Sequence, residues 1–160
     1  MEICEFQTAD RSEIISLMDE FGIYLEKMDP MDRTSFAPNG SVYFTDKLIE
    51  ECNKHKGKIF VAKENNHIIG FIGGHVSKQD EEELMEAKKA VPGVITEFFI
   101  TQKLRNKGVG STLFERMEKH LKNEGCTLIK FDVFAPNILA RNFYKKHGYQ
   151  DRSVIMSKDI

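Results

Sequence analysis

Cysteine is scarce, with three residues in 160, and Cys4, Cys52 and Cys126 show no CxxC spacing. An odd, scattered set argues against a disulfide framework and for reduced thiols. The five histidines are equally scattered, and none forms an HxxxH or HExxH pair, so the expectation is no metal site. Neither sign of charge dominates. The net charge is −2, which argues against a nucleic-acid binder driven by a broad basic surface. No segment approaches the ~20 consecutive apolar residues that span a bilayer. The opening "MEICEFQTADRSEI" places acids where a signal peptide carries cations, so the expected location is cytoplasmic. Repeats, low-complexity tracts and an interdomain linker are all missing. With 41% hydrophobic and 30% charged residues, this predicts a single folded domain over residues 1–160.

Helix and strand patterns alternate along the chain. "EICEFQ" reads as a short strand. The following stretch has Thr8 as a candidate N-cap, then Ile14, Leu17, Met18 and Phe21 at helical spacing. A turn-rich loop with Pro30 and Pro38 leads to a second helix, for which Gly57 is the expected left-handed stop. "KIFVAKENNHIIGFIGGHVSK" reads as a hairpin around "ENNH". A charged connection, "QDEEELMEAKKAVPG", precedes the β-rich "VITEFFIT". A helix follows with Leu113, Met117 and Leu121 on one stripe and Gly125 as its stop. The strand "TLIKFDVF", the short helix "NILARNFYKKHG" and a terminal strand or strand pair in "YQDRSVIMSKDI" complete the order. The pattern is mixed α/β, with one parallel strand–helix–strand crossover between Val94 and Phe134.

The junction inside that crossover, "LRNKGVGS", concentrates Arg105, Lys107, Gly108 and Gly110 where a strand becomes a helix. A helix start offers free N–H groups and the positive end of the macrodipole, and glycines let an anion approach the backbone. A phosphate-like ligand is therefore expected at residues 105–111. A Walker loop is excluded because no GK[ST] follows the glycines. The dinucleotide fingerprint would need glycine at Leu113. Taken alone, the stretch reads equally as a tight turn with solvated cations.

The R-x-x-G-x-G loop after "VITEFFIT", followed by Asn137, Ala140, Tyr144, Gly148 and Tyr149 in the spacing N-x-x-A-x-x-x-Y-x-x-x-G-[YF], resembles the GNAT superfamily of acetyl-CoA-dependent N-acyltransferases. The resemblance covers the whole chain in element order. It implies a central mixed, mostly antiparallel sheet flanked by helices, with acetyl-CoA as co-substrate. It also implies that Arg105, Asn106, Lys107, Gly108, Val109, Gly110 and Ser111 bind the pyrophosphate. Phe98, Phe99 and Ile100 then pair with the pantetheine arm through a strand splayed by a bulge. Asn137 matches a residue that touches the coenzyme, although its place after Pro136 also suits an N-cap. Tyr144 corresponds to the general acid that faces the coenzyme sulfur.

Glu97 is the one carboxylate in the central strand, and burying it without a purpose is costly. Strict alternation puts it on one face with Ile95 and Phe99, an arrangement a bulge would shift. The resemblance makes it a base, usually acting through water. The acceptor would be a primary amine of a small molecule or peptide, attacking directly in a ternary complex. The acidic run from Asp80 to Glu86 would attract a cationic amine, but it reads more simply as a solvated helix. The alternative to an enzyme is a non-catalytic acyl-CoA-binding sensor of the same fold. By family habit the assembly is a homodimer.

Overall fold

The computed structural model describes residues 1–160. Its five strands lie in one sheet in chain order, β1 (Glu2–Glu5), β2 (Lys58–Glu64), β3 (His67–Val76), β4 (Pro92–Ile100) and β5 (Leu128–Lys130). The first four are antiparallel, and only the β4–β5 pair is parallel. The β2–β3 hairpin turns on Asn65 and Asn66, both at positive φ (51° and 64°). Asparagine tolerates that conformation, and two such residues in a row make a turn whose twist matches the strands.

Helices cover both faces. On one side lie α1 (Arg11–Met28) and α2 (Gly40–Lys54), packing Ile14, Met18 and Leu48 onto Val61, Phe71 and Phe99. On the other lies α4 (Val109–Asn123), whose Leu113, Phe114, Met117 and Leu121 meet Phe60, Ile72 and Ile100. The terminal helix α5 (Ile138–Lys146) closes that side, with Phe143 and Tyr144 against the same core. A short acidic helix, α3 (Glu81–Glu86), sits between β3 and β4. No helix is long and apolar enough to cross a membrane.

Four local expectations need correction. Thr8 opens a single 3₁₀ turn (Thr8–Asp10), and α1 begins at Arg11; Asp10 precedes it with no side-chain bond to α1, its carboxylate reaching back to accept the Gln7 N–H at 2.9 Å. After α2 the left-handed residue is Lys56 (φ 54°), not Gly57. Gly57 is needed for space, since a Cβ there would lie 2.6 Å from both Cys52 Cα and the Gly74 carbonyl. The strand after α4 stops at Lys130, well short of Phe134. No terminal strand forms, and residues 150–160 are exposed and irregular. β-propensity makes a strand only where an edge receives it, and β5 is paired over three residues only.

Candidate active site

The site is built where β4 and β5 part. Their ladder runs Pro92–Leu128, Gly93–Ile129 and Val94–Lys130, then ends. Two residues later β4 carries a bulge at Thr96, with Gly74 opposite Ile95 and Gly73 opposite Glu97. An extra residue sharpens the local twist and turns the strand away from its neighbour. Phe98, Phe99 and Ile100 keep their pairing to β3 but have no ladder partner on the β5 side. Their side chains are core: Phe98 packs on Phe114 and Phe143 at 5.5 and 5.7 Å, and Phe99 on Phe21 at 5.2 Å. What they present at the open edge is main chain.

The bulge also reassigns faces. Ile95 packs on the α4 side and Phe99 on the α1–α2 side. Glu97 stays with Phe99, two residues away, so the three do not share a face as strict alternation predicts.

At the end of β4 a 3₁₀ turn (Gln102–Leu104) leads into the loop. Asn106 (φ 63°) and Gly108 (φ 82°) both take the left-handed conformation, and α4 begins at Val109. The first bond of the helix runs from the Thr112 N–H to the Gly108 carbonyl at 3.1 Å. The N–H groups of Asn106, Lys107 and Gly108 have no main-chain acceptor, and those of Val109, Gly110 and Ser111 stand free at the helix start. Such a row of outward N–H donors is an anion cradle.

The side chains divide the work differently from the sequence reading. Val109 is 3% exposed and belongs to the core. Gly110 is closely packed, since a Cβ would meet Ile100 Cδ1 at 3.1 Å. Ser111 Oγ lies 3.3 Å from His147 Nε2. Lys107 is exposed, with no ion-pair partner. Arg105 folds back: its Nε donates to the Ile100 carbonyl at 3.1 Å, and its guanidinium lies 4.5 Å over the Tyr24 ring. It braces the loop from behind.

Tyr24 is the residue the sequence reading missed. Its hydroxyl donates to Asn137 Oδ1 at 2.9 Å, and that same oxygen accepts the Ala140 N–H at 3.2 Å as the cap of α5. Arg105, Tyr24 and Asn137 thus tie the loop, α1 and α5 together. The Asn137 side-chain amide N–H₂ makes no bond within the protein, so the cap and a ligand contact are compatible. A signal for Tyr24 existed. It continues the Leu17–Phe21 stripe, and a tyrosine at the end of a buried stripe needs a partner for its hydroxyl.

Glu97 has no hydrogen-bond or ion-pair partner. Desolvation raises its pKa to about 7, against a weaker opposing pull from Lys47 of α2. Tyr144 stacks on Phe131 at 4.4 Å and Phe114 at 5.6 Å. Burial pushes its hydroxyl up to about 12, with Tyr24 adding to the effect. The arrangement offers a carboxyl poised between its two states, a phenol that keeps its proton, an unpaired strand edge and an anion cradle. No group of three or more His, Cys, Asp or Glu side chains converges as a metal site.

Residues 25–149 match the acetyltransferase (GNAT) family. The chain belongs to that family. It is 24% identical over 132 residues to the uncharacterized N-acetyltransferase MJ1530 of Methanocaldococcus jannaschii, covering 82% of this chain and 75% of that protein. A tetramutant of the BH1408 protein from Bacillus halodurans superposes with a TM-score of 0.81 at 18% identity, over 100% of each chain. The aminoglycoside N-acetyltransferase AAC(6')-Iy in complex with CoA superposes with a TM-score of 0.70 at 12% identity, over 99% of each. Membership makes acyl transfer the chemistry class and an acyl-coenzyme A the co-substrate class. The GNAT loop and strand edge fit such a group through unpartnered N–H donors and β4 main chain that β5 leaves unpaired, the Ile100 carbonyl being held by Arg105.

Gly108 gives this fit a direct test. A Cβ there would meet nothing within 4 Å, so a side chain would project into the open space before the cradle. Gly108→Val is expected to weaken coenzyme A binding at least about tenfold by calorimetry, about 1.4 kcal/mol or more. Gly125→Val is the control. It carries similar strain (φ 90°), also with nothing within 4 Å, at the far end of α4. It should lower Tm to a similar degree and leave affinity alone.

Proposed function

We propose that residues 1–160 form one acetyltransferase domain that moves an acetyl group from acetyl-CoA to a primary amine, by direct attack in a ternary complex. The observation that carries this reading is Glu97, an unpartnered carboxyl near neutrality on the strand whose outer edge the bulge frees. When bound, acetyl-CoA supplies a thioester carbonyl open to attack. The N–H groups of residues 106–111 hold its pyrophosphate, and main chain at Phe98–Ile100 aligns its arm.

An alkyl ammonium has a pKa near ~10.4 and cannot attack while charged. Glu97, directly or through one water, takes the proton from the amine nitrogen. The C–N bond forms, the C–S bond breaks, the Tyr144 hydroxyl gives its proton to the departing sulfur, and the second proton that the nitrogen sheds on becoming an amide returns through water to the Tyr144 oxygen. A free β4 N–H stabilises charge gathering on the carbonyl oxygen. A covalent cysteine route has no support in the thiols. Cys52 is pushed up to about 12 by burial, and burial also raises Cys4 and Cys126, so none is activated as a thiolate.

The test is a thiol-release assay with acetyl-CoA and a panel of monoamines, polyamines, aminoglycosides, amino acids and peptides. Release that requires an amine, with the acetylated amine seen by mass, is expected. Acetyl-CoA binding with no amine-dependent release would instead mark a sensor.

A further inference from the structure

From the surroundings of Glu97, and resting on the reading of that carboxyl as the place where the amine is deprotonated, we infer that the acceptor is a monoamine. Its single amino group is carried on an apolar or aromatic body, and it is not a polycation.

Glu97 faces the α1–α2 side with Phe99. Beside it Gly73 has no side chain, and a Cβ there would strike Leu48 of α2 at 2.6 Å, so α2 descends onto the sheet next to the carboxyl. At 100° per residue along α2, Phe44 lies about 160° around the helix from Asp46. Asp46 is turned to α1, where it holds Arg11 at 2.8 Å. Phe44, one turn before Leu48 on the same face of α2, is carried next to the place where Leu48 meets Gly73, and Lys47 is the cation that Glu97 feels.

The exposed surface on this side is aromatic. Tyr43 is 60% exposed and Phe44 36%, their rings edge to face at 5.3 Å, and Phe36 packs on Phe44 at 5.2 Å. The wall is pre-set. The Phe36 ring fills a slot that Cβ atoms on Gly22 and Gly40 would enter at 2.6 and 3.0 Å, and its N–H donates to Glu26 at 2.8 Å. Rings held in place before binding lose little freedom on contact. They suit an apolar body and one ammonium approaching a ring face.

Several acids around this surface are already engaged, and the acidic run is distant. Asp29 accepts from the Met31, Arg33 and Thr34 N–H groups, and Glu26 from Phe36. Glu51, one turn past Lys47, lies 3.5 Å from the His55 ring. The acidic run belongs to α3, where Asp80 caps the helix and Glu83 pairs with Lys130 at 2.7 Å. Its Glu83 and Glu86 line a hollow with Pro92, at the start of β4. Glu97 stands five residues further on, ~16 Å along the strand. A polyamine would bring second and third charges to a site whose unpaired neighbour is itself a cation.

The test measures kcat/KM for 2-phenylethylamine and spermidine, and calorimetric binding of each in the presence of coenzyme A. 2-Phenylethylamine is expected to lead by at least about tenfold in both readouts. Tyr43→Ala should raise its KM several-fold with the KM for acetyl-CoA unchanged. Lys47→Glu should move the ratio toward spermidine by about tenfold or more. Equal or better use of spermidine by the wild type, or a ratio indifferent to Lys47→Glu, would overturn the inference while leaving acetyl transfer intact. Absence of turnover with every amine would sink the acetyltransferase reading. The binding arm then decides the preference alone: tighter 2-phenylethylamine upholds it, and equal or tighter spermidine overturns it.

Discussion

Glu97→Gln is expected to lower kcat by about 10²–10⁴-fold while leaving acetyl-CoA affinity unchanged, because the anion cradle lies beyond the end of β4. The pH profile gives the sharper test. Only the ionised carboxyl can accept a proton, so wild-type kcat/KM should climb with pH through about 7. The variant should lack that limb. Stability should move the opposite way. The folded pKa is raised above the ordinary carboxyl value of 4.5, so the fold holds this proton more tightly than the unfolded chain does. Its contribution to stability is present below that ordinary value. It is lost as pH rises toward 7, and above that a charged, desolvated carboxylate weighs on the fold. Glu97→Gln should therefore be more stable than the wild type at pH 8, by about 1–3 kcal/mol in urea titration, with the gap closing below pH 4.5. A structural ion pair with Lys47 predicts the reverse, with a lowered pKa and a variant less stable at pH 8. A slower and more stable protein identifies a base; a less stable one with an unaltered pH profile identifies a strut.

Much of this site was legible because its parts are local in sequence. The α4 stripe, its stop at Gly125, the asparagine hairpin and the glycine loop each depend on residues within a few positions of one another. Asn137 could be read as a cap for the same reason. What escaped depends on distant partners. The face that Ile95 takes is set by the bulge at Thr96, which exists only in the pairing of β4 with Gly73 and Gly74 of β3. Arg105 sits in the loop by sequence, but its guanidinium is claimed by a ring on α1. Lys56 takes the left-handed position while Gly57 is pressed between Cys52 and Gly74, a contact that no local pattern shows. The acidic run is conspicuous in one dimension and lies at the other end of β4 in three.

Tyr144→Phe should cut kcat by about 10²-fold or more with the KM for acetyl-CoA held within about twofold. The ring itself is structural, wedged between Phe131 and Phe114, and phenylalanine keeps those contacts. The hydroxyl has no partner within the protein, and burial pushes its pKa up to about 12. It therefore carries its proton throughout the working pH range, as an acid that donates to a departing thiolate must. Removing it strands no neighbour, so Tm should hold or rise slightly. Tyr149→Phe is the matched contrast. That ring belongs to the same aromatic cluster, 5.0 Å from Phe131, but its hydroxyl donates to Glu118 at 2.8 Å. Losing it should cost about 1–3 kcal/mol of stability and leave kcat near wild type. If Tyr144→Phe turns over like the wild type, the sulfur takes its proton from water and Tyr144 is packing alone. If both variants slow turnover equally, the effect belongs to the cluster as a whole.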